Sequence, residues 1–122
     1  MKLTSGDFNF GEYLYQKKKK RDQLRGSVET PGTPVICTGT YYTQGPFVVE
    51  QIWISNTGTV SATISIMDGP HYKMRNAMSI NGVALAAGAV VTIEPCYMPF
   101  FEAVMIDASD GTVIVTFGGW IP

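Results

Sequence analysis

The chain has little of what metal sites and catalytic centres are usually built from. It contains one histidine, His71, and two cysteines, Cys37 and Cys96, which lie in three separate segments without a CxxC spacing. A structural zinc site needs four such ligands, so none is expected. Asp68 lies close to His71, but no third member of a catalytic triad is identifiable. We expect two small buried cysteines, whose pairing the sequence leaves open, no metal or other cofactor, and no enzyme activity.

Long hydrophobic runs are also missing. No stretch approaches the roughly 20 consecutive apolar residues of a membrane span, and the N-terminus lacks the apolar segment of a signal peptide. No glycine-rich loop is placed to hold a phosphate. We therefore expect a protein that is made in the cytoplasm and does not insert into a membrane.

Cations are scarce after residue 26. Residues 1–26 carry seven Lys and Arg against three Asp and Glu, whereas residues 27–122 carry two against seven. Such a contrast marks a boundary between segments. We predict a basic N-terminal arm and linker over residues 1–34, extended or partly helical, followed by one domain over residues 35–122.

The arm holds the first set of candidate contact residues. Its aromatic members are Phe8, Phe10, Tyr13 and Tyr15, and its cations are Lys17, Lys18, Lys19, Lys20 and Arg21. Protein interfaces concentrate aromatic residues, and burying one contributes roughly 1.5–3 kcal/mol. We expect the arm to bind another subunit, so that a chain without residues 1–26 folds but does not assemble. Nucleic acid is a less favoured partner of the lysines, because the rest of the chain is acidic and repels phosphate.

The body has the composition and periodicity of strands. It contains most of the 13 glycines and 7 prolines, which favour turns over long helices. Strict alternation on both sides of the turn at Asn56-Thr57-Gly58-Thr59 predicts a hairpin between residues 47–55 and 60–67. A second hairpin is predicted at Ser109-Asp110-Gly111. Short strands at this spacing indicate an all-β fold, an antiparallel β-sandwich of the Ig-like or jelly-roll-like kind.

Two further segments are candidate contact surfaces. The loop over residues 95–101 places Tyr97, Met98 and Phe100 close together between prolines, which stiffen the backbone and lower the ordering cost of binding. The same loop could instead close one end of the core. Trp120, near the end of the sequence, is expected to pack on the body or on a neighbouring subunit.

The body resembles small virion structural proteins of tailed bacteriophages. The resemblance is carried by residues 52–69, where a strand ends in Asn-Thr-Gly and leads to an alternating strand ending in Asp-Gly, and by residues 82–93 and 110–117. It implies a sandwich that decorates or cements a capsid, or that builds a neck, tail, baseplate or fibre. It also implies a virion location after assembly in the host cytoplasm, other virion proteins as partners, and a homo-oligomer.

Two other functions stay open. In a carbohydrate- or receptor-binding module, Trp53, Tyr72 or Tyr97 would stack on sugar rings. In a nucleic-acid-associated protein, the cations at residues 17–21 would contact phosphates.

Overall fold

A computed structural model describes residues 20–69, 75–76, 84–110 and 112–122. The described residues form strands and turns, with no helix among them. The strands are β1 (Lys20–Val28), β2 (Val35–Ile36), β3 (Phe47–Asn56), β4 (Ala62–Asp68), β5 (Arg75–Asn76), β6 (Ala84–Leu85), β7 (Val90–Ile93), β8 (Met98–Phe100), β9 (Val104–Ala108) and β10 (Val113–Ile121).

The strands form two antiparallel sheets. Sheet A has the order β1-β10-β3-β7, with β8 also paired to β3, and sheet B has the order β2-β9-β4-β5, with β6 also paired to β4. Most connections pass from one sheet to the other, which is the arrangement of a jelly roll. The prediction of an antiparallel β-sandwich is confirmed, and the strand order is the jelly-roll one and not that of an Ig-like domain.

The two predicted hairpins are wrong in their pairing. β3 lies in sheet A and β4 in sheet B, and β9 and β10 are likewise in different sheets. The turn after β3 is held by the fully buried Asn56. Its Nδ2 donates to the carbonyl oxygens of Val60 at 2.8 Å and Leu85 at 2.9 Å, and its Oδ1 accepts from the Gly58 amide at 3.0 Å. The turn therefore bridges the two sheets, a geometry that alternation along the strands does not distinguish from a hairpin.

The sandwich begins earlier than residue 35. Strand β1 lies inside the segment 1–34 predicted as arm and linker, and it pairs with β10 from Lys20↔Ile121 to Val28↔Val113. Leu24 and Val28 are fully buried. The period-two burial of this strand outweighs the helix propensity of its lysines and arginines. Residues 20–28 thus belong to the sandwich. The rest of the predicted arm, residues 1–19, lies outside the described residues and stays a prediction.

The core lies between the inner faces of the two sheets. Its fully buried members include Leu24, Val28, Ile52, Ile66, Val104, Ile106, Val113, Val115 and Phe117. Cys37 is buried among them and is not in a disulfide, and burial raises the pKa of its thiol to about 12. The prediction of a buried Cys37 is confirmed, and Cys96 is half-buried and also free.

Candidate interaction site on the outer face of sheet A

Seven of the predicted contact residues lie outside the described residues. They are Phe8, Phe10, Tyr13, Tyr15, Lys17, Lys18 and Lys19. Tyr72, one of the residues suggested for sugar stacking, also lies outside them. Their contact roles stay predictions.

Three other predicted residues come together at one end of the outer face of sheet A. Arg21 in β1 is opposite Trp120 in β10, and its Cζ lies 5.6 Å from the centre of the indole ring. The Tyr97 ring lies 6.4 Å from the Trp120 ring on the other side. We call Arg21, Tyr97 and Trp120 the end patch. These residues are far apart in the sequence, and antiparallel pairing of β1 with β10 joins them.

The end patch is only partly open to solvent. Tyr97 is 72% exposed, whereas Trp120 is 8% exposed. Trp120 therefore acts as a buried support, and Tyr97 is the side chain that a partner can reach. Side chains with an aromatic body and a polar hydroxyl are favoured at interfaces because they contact both apolar and wet surroundings.

Met98 and Phe100 are core residues. They lie in β8, where Met98 is opposite Val49 and Phe100 is opposite Phe47, and they are 7% and 1% exposed. Alternation along β8 sends both side chains inward and leaves Tyr97 outward. The loop over residues 95–101 thus both closes the core and presents an exposed aromatic side chain.

Arg21 is held by an ion pair as well as by Trp120. Its Nη1 lies 2.8 Å from Oε2 of Glu50, and the two side chains are 68% and 36% exposed. An ion pair this exposed contributes little to stability, about 0–1 kcal/mol. Its effect is geometric, since it fixes the guanidinium group above the indole ring, where cation–π attraction is favourable.

A shallow acidic depression borders the end patch. It has a volume of about 540 Å³ and is lined by Glu50, Gln51, Glu94, Pro95 and Cys96. Burial, followed by the negative charge of Glu50, raises the pKa of the Cys96 thiol. A thiol with a raised pKa is protonated at neutral pH and is a poor nucleophile. The depression therefore offers an acidic binding surface and no activated nucleophile.

Asp22 is a residue that the sequence analysis did not single out. Its carboxylate accepts hydrogen bonds from the backbone amides of Thr40, Tyr41 and Tyr42 at 3.2, 3.0 and 2.9 Å. These bonds tie the loop after β2 to strand β1. Burial raises the pKa of Asp22, but the backbone hydrogen bonds together outweigh it and leave the pKa below its ordinary value. An acidic residue inside a basic run was the one signal in the sequence that pointed to it.

The same loop places Lys20 against an aromatic ring. The Lys20 Nζ lies 4.0 Å from the centre of the Tyr41 ring, and Tyr41 is 57% exposed. Lys20 and Arg21, both predicted as contact residues, thus already have partners within the chain. Both remain exposed, and Arg21 places its positive charge beside Glu50 of the acidic depression.

Over residues 20–69, 75–76, 84–110 and 112–122, no three His, Cys, Asp or Glu side chains are grouped as metal ligands. The same part of the chain contains no helix long and apolar enough to cross a bilayer.

Comparisons with known proteins were made at the level of sequence and of structure. No protein-family model and no curated protein sequence matches the chain. A solved structure, the cyanophage Pam1 capsid asymmetric unit, is similar to this chain at 11% identity and a TM-score of 0.39, over 86% of each chain. A likeness of this degree places the chain in no family.

Proposed function

We propose that this protein is a structural component of a tailed-bacteriophage virion, namely a capsid decoration or cement protein. It binds neighbouring capsid subunits through the arm, residues 1–19, and through the end patch. Its role is structural, without catalysis, cofactor or membrane, and its location is the virion, after assembly in the host cytoplasm.

The observation that carries the proposal is the anchoring of the arm. The first strand after it, β1, is paired with β10 at every position from Lys20 to Val28, and Leu24 and Val28 are fully buried. An arm that binds a neighbouring subunit holds the sandwich in place only if the arm is joined to a rigid element of the fold. Here the basic, aromatic segment continues directly into an edge strand of the sandwich.

The fold supports this class of function without assigning it. Jelly rolls occur in viral capsids and in lectins, and a fold hosts several functions. The sequence resemblance to small virion proteins favours the viral alternative. The sandwich presents both sheet edges and loop ends for contacts, which suits an accessory protein that bridges subunits.

Charge supports an arm that binds a protein surface. The arm and β1 are basic and residues 27–122 are acidic. The basic arm of one copy is therefore attracted to the acidic sandwich of another. We propose that the partners are the major capsid protein and further copies of this chain. Nucleic acid is the less favoured partner for the same reason of charge.

The experiment is mass spectrometry of purified virions followed by a cryo-EM map. The proposal expects the protein in the virion and a jelly-roll density on the outside of the shell that touches at least two capsid subunits. Density at the neck, tail, baseplate or fibre would replace the decoration role by the second structural role. Absence of the protein from purified virions would contradict both.

A further inference from the structure

The outer face of sheet A contains a second depression, which adjoins the acidic one and shares Glu50 and Gln51 with it. It has a volume of about 450 Å³ and lies across strands β1, β10 and β3 and the loop after β2. Its aromatic walls are Tyr41 and Trp53, and its polar lining includes Gln23, Gln51 and the Arg21–Glu50 ion pair. We call it the aromatic groove.

Glycine in β10 makes room for two of the side chains that line the groove. A Cβ atom added at Gly118 would lie 2.9 Å from Oε1 of Gln51 and 3.5 Å from two ring carbons of Trp53. Glycine therefore lets the Trp53 ring and the Gln51 amide lie against the backbone of the neighbouring strand. Trp53 is opposite Thr116 in the sheet register, and its half-buried side chain lines the groove.

The second aromatic wall is also held in place. The Asp22 carboxylate accepts the amides of Tyr41 and its two neighbours, Thr40 and Tyr42, so the loop that carries the Tyr41 ring is fixed to β1. Walls that are fixed before binding lower the entropy lost when a ligand is bound. Tyr41 remains 57% exposed.

The lining has the chemistry of a site for sugars. Aromatic rings bind the apolar face of a sugar ring, and a few well-placed polar groups fix the orientation of a ligand. The side-chain amides of Gln23 and Gln51 each donate and accept hydrogen bonds, which matches hydroxyl groups that do both. A volume of 450 Å³ lies within the range of roughly 300–1,000 Å³ that is usual for ligand sites.

Charge selects among ligands that stack on aromatic rings. Arg21, Asp22 and Glu50 all line the groove. Arg21 is paired with Glu50, Asp22 is bonded to backbone amides, and Lys20 lies beside the Tyr41 ring. These balanced charges leave no surplus of positive charge to attract the phosphates of a nucleic acid or the sulfates or carboxylates of an acidic glycan. We propose that the aromatic groove binds a neutral oligosaccharide, with Trp53 and Tyr41 stacking on sugar rings and Gln23 and Gln51 contacting hydroxyl groups.

The test is an NMR titration of the full-length protein labelled with ¹⁵N. The probes are neutral hexasaccharides of glucose, mannose and N-acetylglucosamine, with a sulfated hexasaccharide and an oligo-dT strand as charged comparisons. The chain has two tryptophans, so the Trp53 indole signal is assigned by comparison with the Trp53→Phe variant. We expect at least one neutral probe to shift the Trp53 indole and glutamine side-chain signals in a saturable manner.

Variants decide whether the groove is the site. Tyr41→Ala and Gln23→Ala change exposed side chains and are expected to weaken binding about tenfold and severalfold, as lost stacking and hydrogen bonds would. Val90→Ala changes an exposed apolar residue of β7 outside the groove and is the control, with binding unchanged. Thermal melts check that each variant is folded.

Three outcomes would overturn the inference. They are no saturable shift of the Trp53 indole with any neutral probe, binding of the oligo-dT or sulfated probe in its place, and equal weakening by Val90→Ala. Because the titration uses the isolated protein, it does not depend on virion assembly, and either proposal can fail without the other.

Discussion

At the scale of single residues, two aspartates organise loops through backbone amides. Asp68 is 1% exposed and accepts hydrogen bonds from the amides of Phe101, Glu102 and Ala103 at 2.9, 2.9 and 3.3 Å. Asp22 does the same for the loop after β2 from a more exposed position. Both carboxylates accept hydrogen bonds from loop amides that are not paired in a sheet, and so give these amides a partner within the chain.

Substituting Asp68 by alanine is expected to destabilise the protein strongly. The change leaves several amides, one of them buried, without their acceptor, and each such loss costs about 1–3 kcal/mol. We expect a total of about 3 kcal/mol, measured by urea denaturation. Glu29→Ala changes an exposed acidic residue and serves as the control. A loss below about 0.5 kcal/mol for Asp68→Ala would contradict the role given to its hydrogen bonds.

The contribution of Asp22 depends on pH in a defined direction. Its pKa in the folded protein lies below the ordinary value of 3.8, so its charged form stabilises the fold above that value. This stability is lost as the pH falls through the folded pKa. The difference in stability between the natural protein and Asp22→Asn should therefore be largest near pH 7 and shrink toward pH 3. Solvent screening keeps it below about 1 kcal/mol. A difference that grows on acidification would contradict the assignment.

At the scale of elements, periodicity predicted where strands lie but not which strands pair. β3 and β4 lie close to their predicted positions because Ile52 and Ile54, and Ile64 and Ile66, alternate with less buried residues. In a sandwich each of these strands turns its apolar face to the same core, whichever sheet it joins. The pattern is therefore the same for a hairpin and for a turn between sheets.

The sheet-crossing turn after β3 gives an element-scale prediction. Asn56→Asp keeps the size of the side chain but replaces a donor by a carboxylate facing the carbonyl oxygens of Val60 and Leu85. We expect a loss of about 2–4 kcal/mol, because a buried charge then lies beside acceptors. Thr59→Ala, an exposed change in the same turn, is the control. Chemical denaturation measures both, and equal stability of the two variants would contradict the buried role of Asn56.

Strand β1 was missed because its local and tertiary preferences disagree. Lysine, arginine, glutamine and leucine favour a helix in isolation. The inward residues Leu24, Gly26 and Val28 do alternate, but the alternating run is too short to indicate a strand. Pairing with β10 decides the conformation, and that partner lies at the far end of the chain. No local sequence pattern indicates pairing between two strands so far apart in the chain.

The end patch shows the same limit for the candidate site. Tyr97 and Trp120 were each predicted as contact residues from their aromatic character and their position in loops or near the end of the sequence. That they meet Arg21 follows only from the register of β1 on β10 and the entry of β8 beside β3. The aromatic character of each contact residue could therefore be predicted from the sequence. The grouping of these residues in the end patch, and the aromatic groove, could be seen only in the folded structure.

At the scale of the whole molecule, the boundary between the arm and the sandwich can be tested by truncation. Removal of residues 1–19 should leave a folded sandwich with an unchanged circular dichroism spectrum and melting temperature. Removal of residues 1–26 takes away most of β1 with Leu24 and leaves β10 as an unprotected edge, which favours aggregation. We therefore expect the second variant to be insoluble or to melt far below the first, which replaces the prediction from the sequence that a chain without residues 1–26 folds. Equal melting temperatures would contradict the place of β1 in the sandwich.

The central claim is that the arm attaches this sandwich to a virion, and a rebinding experiment tests it most directly. Particles from a phage that lacks the gene are mixed with the full-length protein or with the chain lacking residues 1–19, then sedimented. Full-length protein should bind to saturation at a fixed number of copies per particle, and the folded chain without residues 1–19 should stay in the supernatant. Equal binding of both chains, or no binding of the full-length protein, would contradict the claim.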